Sequence, residues 1–323
     1  MSETFSHRVL PYDGMDGFLA GTLPFLHEGI AAGDRVLAVT SMGSELLLRD
    51  ALGGLAENEV EFVDSADFYA HPARTLADCL GDAEAAASRG RRLRILGEPA
   101  WTGRTALETR EWQRLEALVN VTFADTGAAI LCAYAGSLPA GVLAAARRTH
   151  PESVRGASVL KNPHYIDPWS YSAQCDHGAL PDPPPEADEL PIDNPDLYWL
   201  RAYVSEFARR TPLPDEDLQR LLVAVTEVMT NALRHGAPPY LLRMWVDPAE
   251  RAFVCEVRDK GAWERGAGHG LVPPRPAGPG RFGLWAVRLL CSIVQIRTGD
   301  GGTVVRMMLR LPAVPAALPS NRA

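Results

Sequence analysis

Polar side chains recur at every fourth position in the segment EVMTNALRHG, residues 227–236. On a helix, residues four apart share a face, so Glu227, Asn231 and His235 would project together. An amide oxygen can ligate Mg²⁺, and a carboxylate beside it can accept a proton. The spacing therefore predicts a magnesium and proton-transfer site, although the polar, solvent-facing side of an amphipathic helix has the same spacing.

A second polar group closes an apolar run at VRDKG, residues 257–261. At the end of a strand, the Asp259 carboxylate can accept a hydrogen bond from the amino group of adenine. Gly261, two residues later, lets the backbone approach the base closely because it has no Cβ. An ordinary turn at a strand end would use the same residues.

Glycines precede a third candidate element in GPGRFGLW, residues 278–285. Main-chain N–H groups at a helix N-terminus lack helical partners and, with the helix dipole, favour phosphate. The candidates for a phosphate site are Gly280, Arg281, Gly283 and Leu284. Arg281 could add a cation near the terminal phosphate, or it could be an ordinary surface arginine. A flexible loop before a helix cap is the alternative for the whole segment.

The second half of the chain contains the elements that would position these groups. Helical patterns cover residues 198–210 and 282–290, and a third begins at Asp215 or Asp217 and runs to about residue 235. Strand patterns cover residues 240–246, 252–257, 293–297 and 303–311, the last of which begins at Thr303. Helices followed by a mostly antiparallel sheet predict an α+β sandwich over residues 196–312, with a tail at 313–323.

The first half of the chain alternates apolar strands with amphipathic helices. The strands are predicted at residues 8–11, 35–40, 60–63, 93–96 and 128–134. This order predicts a doubly wound α/β domain with a parallel sheet over residues 1–165. Residues 166–195 include LPDPPP at 180–185 and predict a linker rather than an element, since proline lacks a donor and restricts the residue before it.

Charge and composition exclude several classes of function. A net charge of −8 argues against a nucleic-acid-binding face. The chain has neither a signal-peptide pattern at its start nor an apolar stretch of roughly 18 residues, so secretion and membrane spanning are not expected. Five cysteines without a CxxC pair indicate no disulfide framework and predict a reducing, cytoplasmic location.

In their order, the three motifs of the second half resemble the N, G1 and G2 boxes of the GHKL (Bergerat-fold) ATPases. A glutamate at position 227, where histidine kinases usually carry asparagine, makes the segment more similar to the anti-sigma-factor serine kinases of the RsbW and SpoIIAB type. The resemblance implies that ATP and Mg²⁺ bind here, with Glu227 as the base for the attacking hydroxyl and Asn231 as the Mg²⁺ ligand. The remaining implied nucleotide contacts are His235, Asp259, Gly261, Gly280, Arg281, Gly283, Leu284 and Thr303.

This resemblance also implies a regulatory activity. The chain would be an ATP-dependent protein serine/threonine kinase that phosphorylates an anti-sigma-factor antagonist of the STAS type and also binds a sigma factor. A homodimer is implied, and neither nucleic acid nor a membrane is expected as a partner. The glycines before Gly283 are sparser than in many relatives. Two alternatives therefore stay open: an ATP-binding module that sequesters a partner without phosphotransfer, and a sensor whose second domain only dimerises.

The first domain resembles the MEDS sensory domain, which is named partly for the regulator DcmR and is related in fold to RecA- and KaiC-like proteins. The resemblance rests on PFLHEGIAAGDRV at 24–36, GEPAW at 97–101, LCAY at 131–134 and RTHP at 148–151. It covers residues 5–165 and implies a small-molecule ligand. No GxxxxGK[ST] loop is present, so hydrolysis of a nucleotide through a P-loop is not expected.

Five polar residues of this domain are candidates for ligand sensing: His7, Glu98, Cys132, Tyr134 and His150. Strand ends in doubly wound sheets converge on a crevice, which would bring such side chains together. Alternatively, the apolar neighbours of Cys132 favour a buried small hydrophobe, and Pro151 favours a helix end at His150. The spacing of histidines and cysteines along the chain is not that of a metal site.

Overall fold

The computed structural model of the chain describes residues 4–156, 158–193, 196–262, 268, 270–274 and 282–312. The chain divides into two compact units, Met1–His177 and Gly178–Ala323. Each unit has its own sheet and its own buried core. Within the described ranges, no helix has the length and apolar character needed to cross a membrane.

The first unit contains a seven-stranded sheet with helices between the strands. Its strands are β1 (Ser6–Tyr12), β2 (Arg35–Thr40), β3 (Val60–Asp64), β4 (Leu93–Gly97), β5 (Ala129–Ala135), β6 (Glu152–Arg155) and β7 (Ser158–Lys161). Its helices are α1 (Gly14–Ala32), α2 (Met42–Leu52), α3 (Gly54–Glu59), α4 (Ser65–Phe68), α5 (Pro72–Ala87), α6 (Ala106–Thr122), α7 (Ala140–Thr149) and α8 (Pro168–Cys175). The strand order is β3-β2-β4-β5-β1-β6-β7.

The sheet is mixed, so the prediction of a parallel sheet is wrong at its last strand. Strands β1 to β6 run parallel to their neighbours, whereas β7 is antiparallel to β6. Gly156, directly after β6, has φ 57°. Glycine adopts this left-handed conformation without strain, so the chain turns back in a hairpin instead of crossing over. The α/β class is confirmed, and the relation to RecA- and KaiC-like folds stays a prediction.

The proline-rich stretch contains two elements, contrary to the prediction of a linker. Helix α8 begins with Pro168, in a first turn where the backbone N–H has no helical partner to lose. Strand β8 (Asp188–Ile192) contains Pro191 and is the edge strand of the second sheet, where a missing donor is tolerated. Proline permits both elements because each proline stands where no main-chain donor is needed.

The second unit is an α+β layer whose five-stranded sheet is antiparallel throughout. Its helices are α9 (Leu197–Ala208), α10 (Asp215–His235) and α11 (Phe282–Leu290). After β8, its strands are β9 (Tyr240–Asp247), β10 (Ala252–Asp259), β11 (Ile293–Gly299) and β12 (Gly302–Arg310), in the order β11-β12-β10-β9-β8. The apolar face of α10, including Leu221, Val225 and Met229, is buried with Phe253 and Met307 of the sheet. This packing fixes the rotation of α10 and therefore the direction of its polar residues.

Ion pairs of the buried Arg94 link β4 to α1 and to the turn between α1 and β2 in the first unit. Arg94 bonds through Nε to Asp34 Oδ2 at 2.8 Å and through Nη1 to Glu28 Oε2 at 3.1 Å. Asp34 is buried, whereas the Glu28 side chain is 62% exposed. Because loss of one partner of a buried pair leaves an uncompensated charge, we expect Asp34→Ala to lower the free energy of unfolding by about 3 kcal/mol and Glu28→Ala by less than about 1 kcal/mol. Chemical denaturation of the full chain measures both, and equal effects would contradict the prediction.

Candidate functional site

The C-terminal half of α10 carries the first predicted group. Asn231 Nδ2 donates a hydrogen bond to Glu227 Oε1 at 3.2 Å, one helical turn earlier. Both side chains are half-buried, while His235 ends the helix in an exposed position. Since Asn231 uses its Nδ2 on Glu227, its amide oxygen is the atom that can face a hard cation.

Asp259 ends β10 as a buried carboxylate that is 2% exposed. Its Oδ1 accepts hydrogen bonds from the main-chain N–H of Gly261 at 2.6 Å and of Ala237 at 3.3 Å. Burial raises the pKa of Asp259, and these two hydrogen bonds act in the opposite direction. A carboxylate anchored through one oxygen can present the other to a donor on a ligand.

Glycines allow the end of α10 to approach the end of β10. A Cβ on Gly236 would collide with the Asp259 carboxylate, and one on Gly261 would lie 2.9 Å from Asp259 Oδ1. Thr303, in β12, donates a hydrogen bond through Oγ1 to the Gly261 carbonyl at 2.8 Å. Three of the predicted nucleotide contacts, Asp259, Gly261 and Thr303, are therefore neighbours.

The close approach at Gly261 gives a stability prediction. A Cβ on Gly261 would stand 2.5 Å from the Gly236 Cα, a backbone atom that cannot move without shifting the end of α10. We expect Gly261→Ala to lower the free energy of unfolding of the second unit by about 1–3 kcal/mol and to weaken nucleotide binding as well. Gly301→Ala is the matched control, because a Cβ there meets no atom within 4 Å. Denaturant titration of both variants checks the difference, and an unfolding midpoint unchanged by Gly261→Ala would refute it.

The N-terminus of α11 lies against the Glu227–Asn231 pair. A Cβ on Gly283 would collide with Glu227 Oε1 and would lie 3.6 Å from Asn231 Nδ2. Leu284 packs its half-buried side chain against the apolar core, so it is the main chain of this residue that can serve a ligand. Gly280 and Arg281 lie outside the described residues, and their phosphate contacts stay predictions.

This set of groups fits a magnesium nucleotide. The Asn231 amide offers a hard oxygen atom, which Mg²⁺ prefers, and the Glu227 carboxylate beside it can accept a proton. Because Gly283 has no Cβ, the Glu227 and Asn231 side chains can lie close to the first turn of α11. The main-chain N–H groups of that turn suit a phosphate. Asp259, anchored through one oxygen, can accept from the amino group of a base.

In the first unit, three of the five candidate residues meet at one place. Glu116 of α6 is surrounded by His7 of β1, Cys132 of β5 and His150, which directly follows α7. All four residues are buried. One potential ligand atom from each lies within 4.8 Å of the others. Their spacing along the sequence, which is not that of a metal site, does not show that the fold brings them this close together. Glu116 is absent from the sequence candidates because nothing distinguishes it from a surface glutamate of an amphipathic helix.

The other two candidates of the first unit have different surroundings. The Tyr134 ring lies edge-on to the His150 ring, with the ring centroids 5.8 Å apart. Glu98 stands at the end of β4, where it accepts hydrogen bonds from the Tyr12 hydroxyl at 3.2 Å and from the Ser41 N–H at 2.8 Å. Tyr134 thus flanks the buried cluster, whereas Glu98 binds to the N-terminus of α2.

A cleft of about 760 Å³ lies between β1, α1 and the β6–β7 hairpin of the first unit. Its polar lining includes Tyr12, Asp13, Arg147 and Lys161. Clefts of this volume accommodate small molecules.

Two protein-family models match the chain. Residues 6–151 match MEDS, the methanogen/methylotroph, DcmR sensory domain, and residues 190–309 match the histidine kinase-like ATPase domain. These matches confirm the two resemblances at the level of the domain family. No curated protein matches the chain.

Solved structures also show similarity to this chain. The RsbU and RsbW domains of Rv1364c from Mycobacterium tuberculosis are 20% identical over 40% of this chain and 32% of that one, with a TM-score of 0.30. The blue-light activated histidine kinase EL346 of Erythrobacter litoralis is 22% identical over 36% of this chain and 40% of that one, with a TM-score of 0.27. The chain therefore spans less than half the length of either structure.

Proposed function

We propose that this chain is an ATP-dependent serine/threonine kinase of the anti-sigma-factor type. Its MEDS domain precedes a histidine kinase-like ATPase domain. The observation that carries this proposal is the Glu227–Asn231 pair, bonded at 3.2 Å beside the N-terminus of α11. A carboxylate next to an amide suits transfer to a hydroxyl, because one group can hold Mg²⁺ while the other takes the proton.

Each residue of the site has a role in this proposal. Asn231 holds Mg²⁺, which neutralises charge on the transferring phosphoryl group when it is bound. Glu227 orients the serine or threonine hydroxyl of the protein substrate and accepts its proton. Asp259 accepts a hydrogen bond from the adenine amino group, and Gly261 and Thr303 shape the adenine side. The main chain at Gly283 and Leu284, with Gly280 and Arg281, faces the phosphates, and His235 borders the site.

The partners follow from the same proposal. The substrate is an anti-sigma-factor antagonist of the STAS type, and the unphosphorylated antagonist competes with a sigma factor for the kinase. Phosphorylation adds nearly two negative charges to the antagonist and so disrupts its docking. The cleft beside β1 in the MEDS domain is suited to a small molecule. Binding of that molecule shifts the competition between the antagonist and the sigma factor for the kinase. The kinase acts as a homodimer in the cytoplasm, which agrees with its five free cysteines.

Labelled ATP tests the proposal on the full chain. We expect transfer of the γ-phosphate to a serine or threonine of a STAS-type antagonist in the presence of Mg²⁺, and loss of both ATP binding and transfer in Asn231→Ala. Asn58→Ala, an exposed position on α3, is the control and should behave as wild type. If the chain binds ATP but transfers phosphate to no antagonist, the proposed kinase activity is wrong, and the chain is a non-catalytic module that sequesters its partner. Absence of ATP binding would overturn both.

A further inference from the structure

The buried cluster in the first unit has a defined tautomer at each histidine. His7 Nδ1 lies 3.1 Å from Asn120 Oδ1. The Asn120 Nδ2 donates to the carbonyl oxygens of Ala117 and Thr149, so its Oδ1 is the acceptor in the contact with His7. His7 therefore carries its proton on Nδ1 and has a lone pair on Nε2.

His150 is arranged in the same way. Its Nδ1 lies 2.8 Å from the carbonyl oxygen of Ala146, which can only accept, so the proton again resides on Nδ1. Its Nε2 has no hydrogen-bond partner among the described residues, although it stands 3.0 Å from Glu116 Oε2. In both histidines, Nδ1 thus donates a hydrogen bond to an acceptor outside the cluster and Nε2 faces its interior, as in metal-bound histidines.

The inward-facing atoms are all of types that can ligate a metal ion. Glu116 Oε2 lies 3.0 Å from His150 Nε2 and 3.9 Å from His7 Nε2, and Cys132 Sγ lies 3.6 Å from His7 Nε2. Glu116 Oε2 also lacks a hydrogen-bond partner in the described part of the chain, and no lysine or arginine there forms an ion pair with Glu116. A buried carboxylate oxygen that faces the lone pair of an imidazole is unfavourable unless a proton or a metal cation lies between the two atoms.

We propose that His7, Glu116, Cys132 and His150 form a binding site for a first-row divalent transition metal, best suited to Zn²⁺. Two imidazoles, one thiolate and one carboxylate are the ligand types that Zn²⁺ takes in tetrahedral sites. Neighbouring ligand atoms around a tetrahedral zinc lie about 3.3–3.6 Å apart, given its usual bond lengths. The three distances of 3.0, 3.6 and 3.9 Å bracket this value.

The site connects four elements that are distant in sequence. Its ligands come from β1, α6, β5 and the end of α7, so the ion stabilises the folded unit over the unfolded chain. Four protein ligands close the coordination sphere, which is typical of a structural rather than a hydrolytic zinc site. The proposal does not depend on the kinase activity, because all four ligands belong to the first unit.

Metal analysis of the full chain tests the site directly. We expect about one zinc per chain after purification from zinc-supplemented medium or refolding with Zn²⁺. Refolding with Co²⁺ should give the intense visible bands of tetrahedral cobalt and a thiolate-to-cobalt charge-transfer band in the near ultraviolet. Wild-type protein that retains no stoichiometric zinc and shows neither cobalt signature would overturn the proposal, and a proton shared by His150 and Glu116 would then explain the contact.

Two substitutions locate the ion. Cys132→Ser should remove the charge-transfer band and lower the affinity for Zn²⁺ by at least about 100-fold, while Cys79→Ser, at another buried cysteine of the same unit, should change neither. Zn²⁺ should also raise the unfolding temperature of wild type and of Cys79→Ser. A charge-transfer band that survives in folded Cys132→Ser would place the metal elsewhere and refute the assignment. If Cys132→Ser does not fold, the wild-type cobalt spectrum alone decides.

Discussion

Glu227→Gln is expected to reduce phosphoryl transfer to the antagonist by about 10²- to 10⁴-fold, the range by which a positioned general base accelerates a reaction. Glutamine has nearly the shape of glutamate, and its amide oxygen can accept the hydrogen bond that Asn231 Nδ2 donates at 3.2 Å. The geometry beside α11 is thus preserved, and only the ability to take a proton is lost. The dissociation constant for ATP should stay within about threefold of wild type, because this carboxylate acts on the protein substrate. Single-turnover transfer from labelled ATP, together with calorimetric titration of ATP and Mg²⁺, measures both quantities.

The matched control for this substitution is on the same helix. Glu216 stands in the first turn of α10, forms an ion pair with Arg220 and is exposed, so Glu216→Gln removes a similar charge about 16 Å along the helix from position 227. We expect this control to transfer phosphate at the wild-type rate. Transfer by Glu227→Gln within about threefold of wild type would show that another group takes the proton, and would remove the catalytic role from Glu227.

The predictability of this fold depends on how local each signal is. The bounds of β2 and α11 agree with the sequence patterns to the residue, and α10 begins at the first of its two predicted starts, because each pattern is a continuous run of regular apolar spacing. The missed elements have four to eight residues each, and they are α3, α4, β6, β7, α8 and β8. Elements this short acquire their conformation from the sheet edges and helices against which they pack, which a sequence window does not contain.

The sites follow the same rule. Glu227 and Asn231 are four residues apart on one helix, so their contact follows from helical geometry alone. The role of Gly236 depends instead on the approach of Asp259 from a strand more than twenty residues later in the chain. Glu116 meets His7 across 109 positions, and no local pattern marks it as different from other glutamates of α6. Local geometry can be predicted from spacing, whereas convergence of distant strands and helices requires the fold.

Asp259→Asn is expected to raise the dissociation constant for ATP by about 100-fold or more, which corresponds to about 2.7 kcal/mol. The asparagine oxygen would continue to accept from the N–H groups of Gly261 and Ala237, since a flipped amide would point a donor at two donors. The Nδ2 group is then fixed toward the base, where it opposes the adenine amino group, and an unpaired buried donor is costly. Calorimetric titration with ATP, and with a purine riboside triphosphate that lacks the amino group, checks this result. Wild type should prefer ATP strongly, and the variant should bind both nucleotides weakly and about equally.

Loss of binding in this variant should not be a consequence of unfolding. Burial raises the pKa of Asp259, so the cost to the folding free energy begins above the ordinary pKa of an aspartate and is complete once the pH exceeds the raised pKa. Asparagine is neutral at every pH, and we therefore expect the variant to be at least as stable as wild type at neutral pH while it binds ATP worse. Asp217→Asn, at the far end of α10, is the matched control and should leave ATP binding unchanged. ATP binding by Asp259→Asn within about threefold of wild type would mean that the base is recognised elsewhere, because a donor cannot replace the carboxylate oxygen at that position.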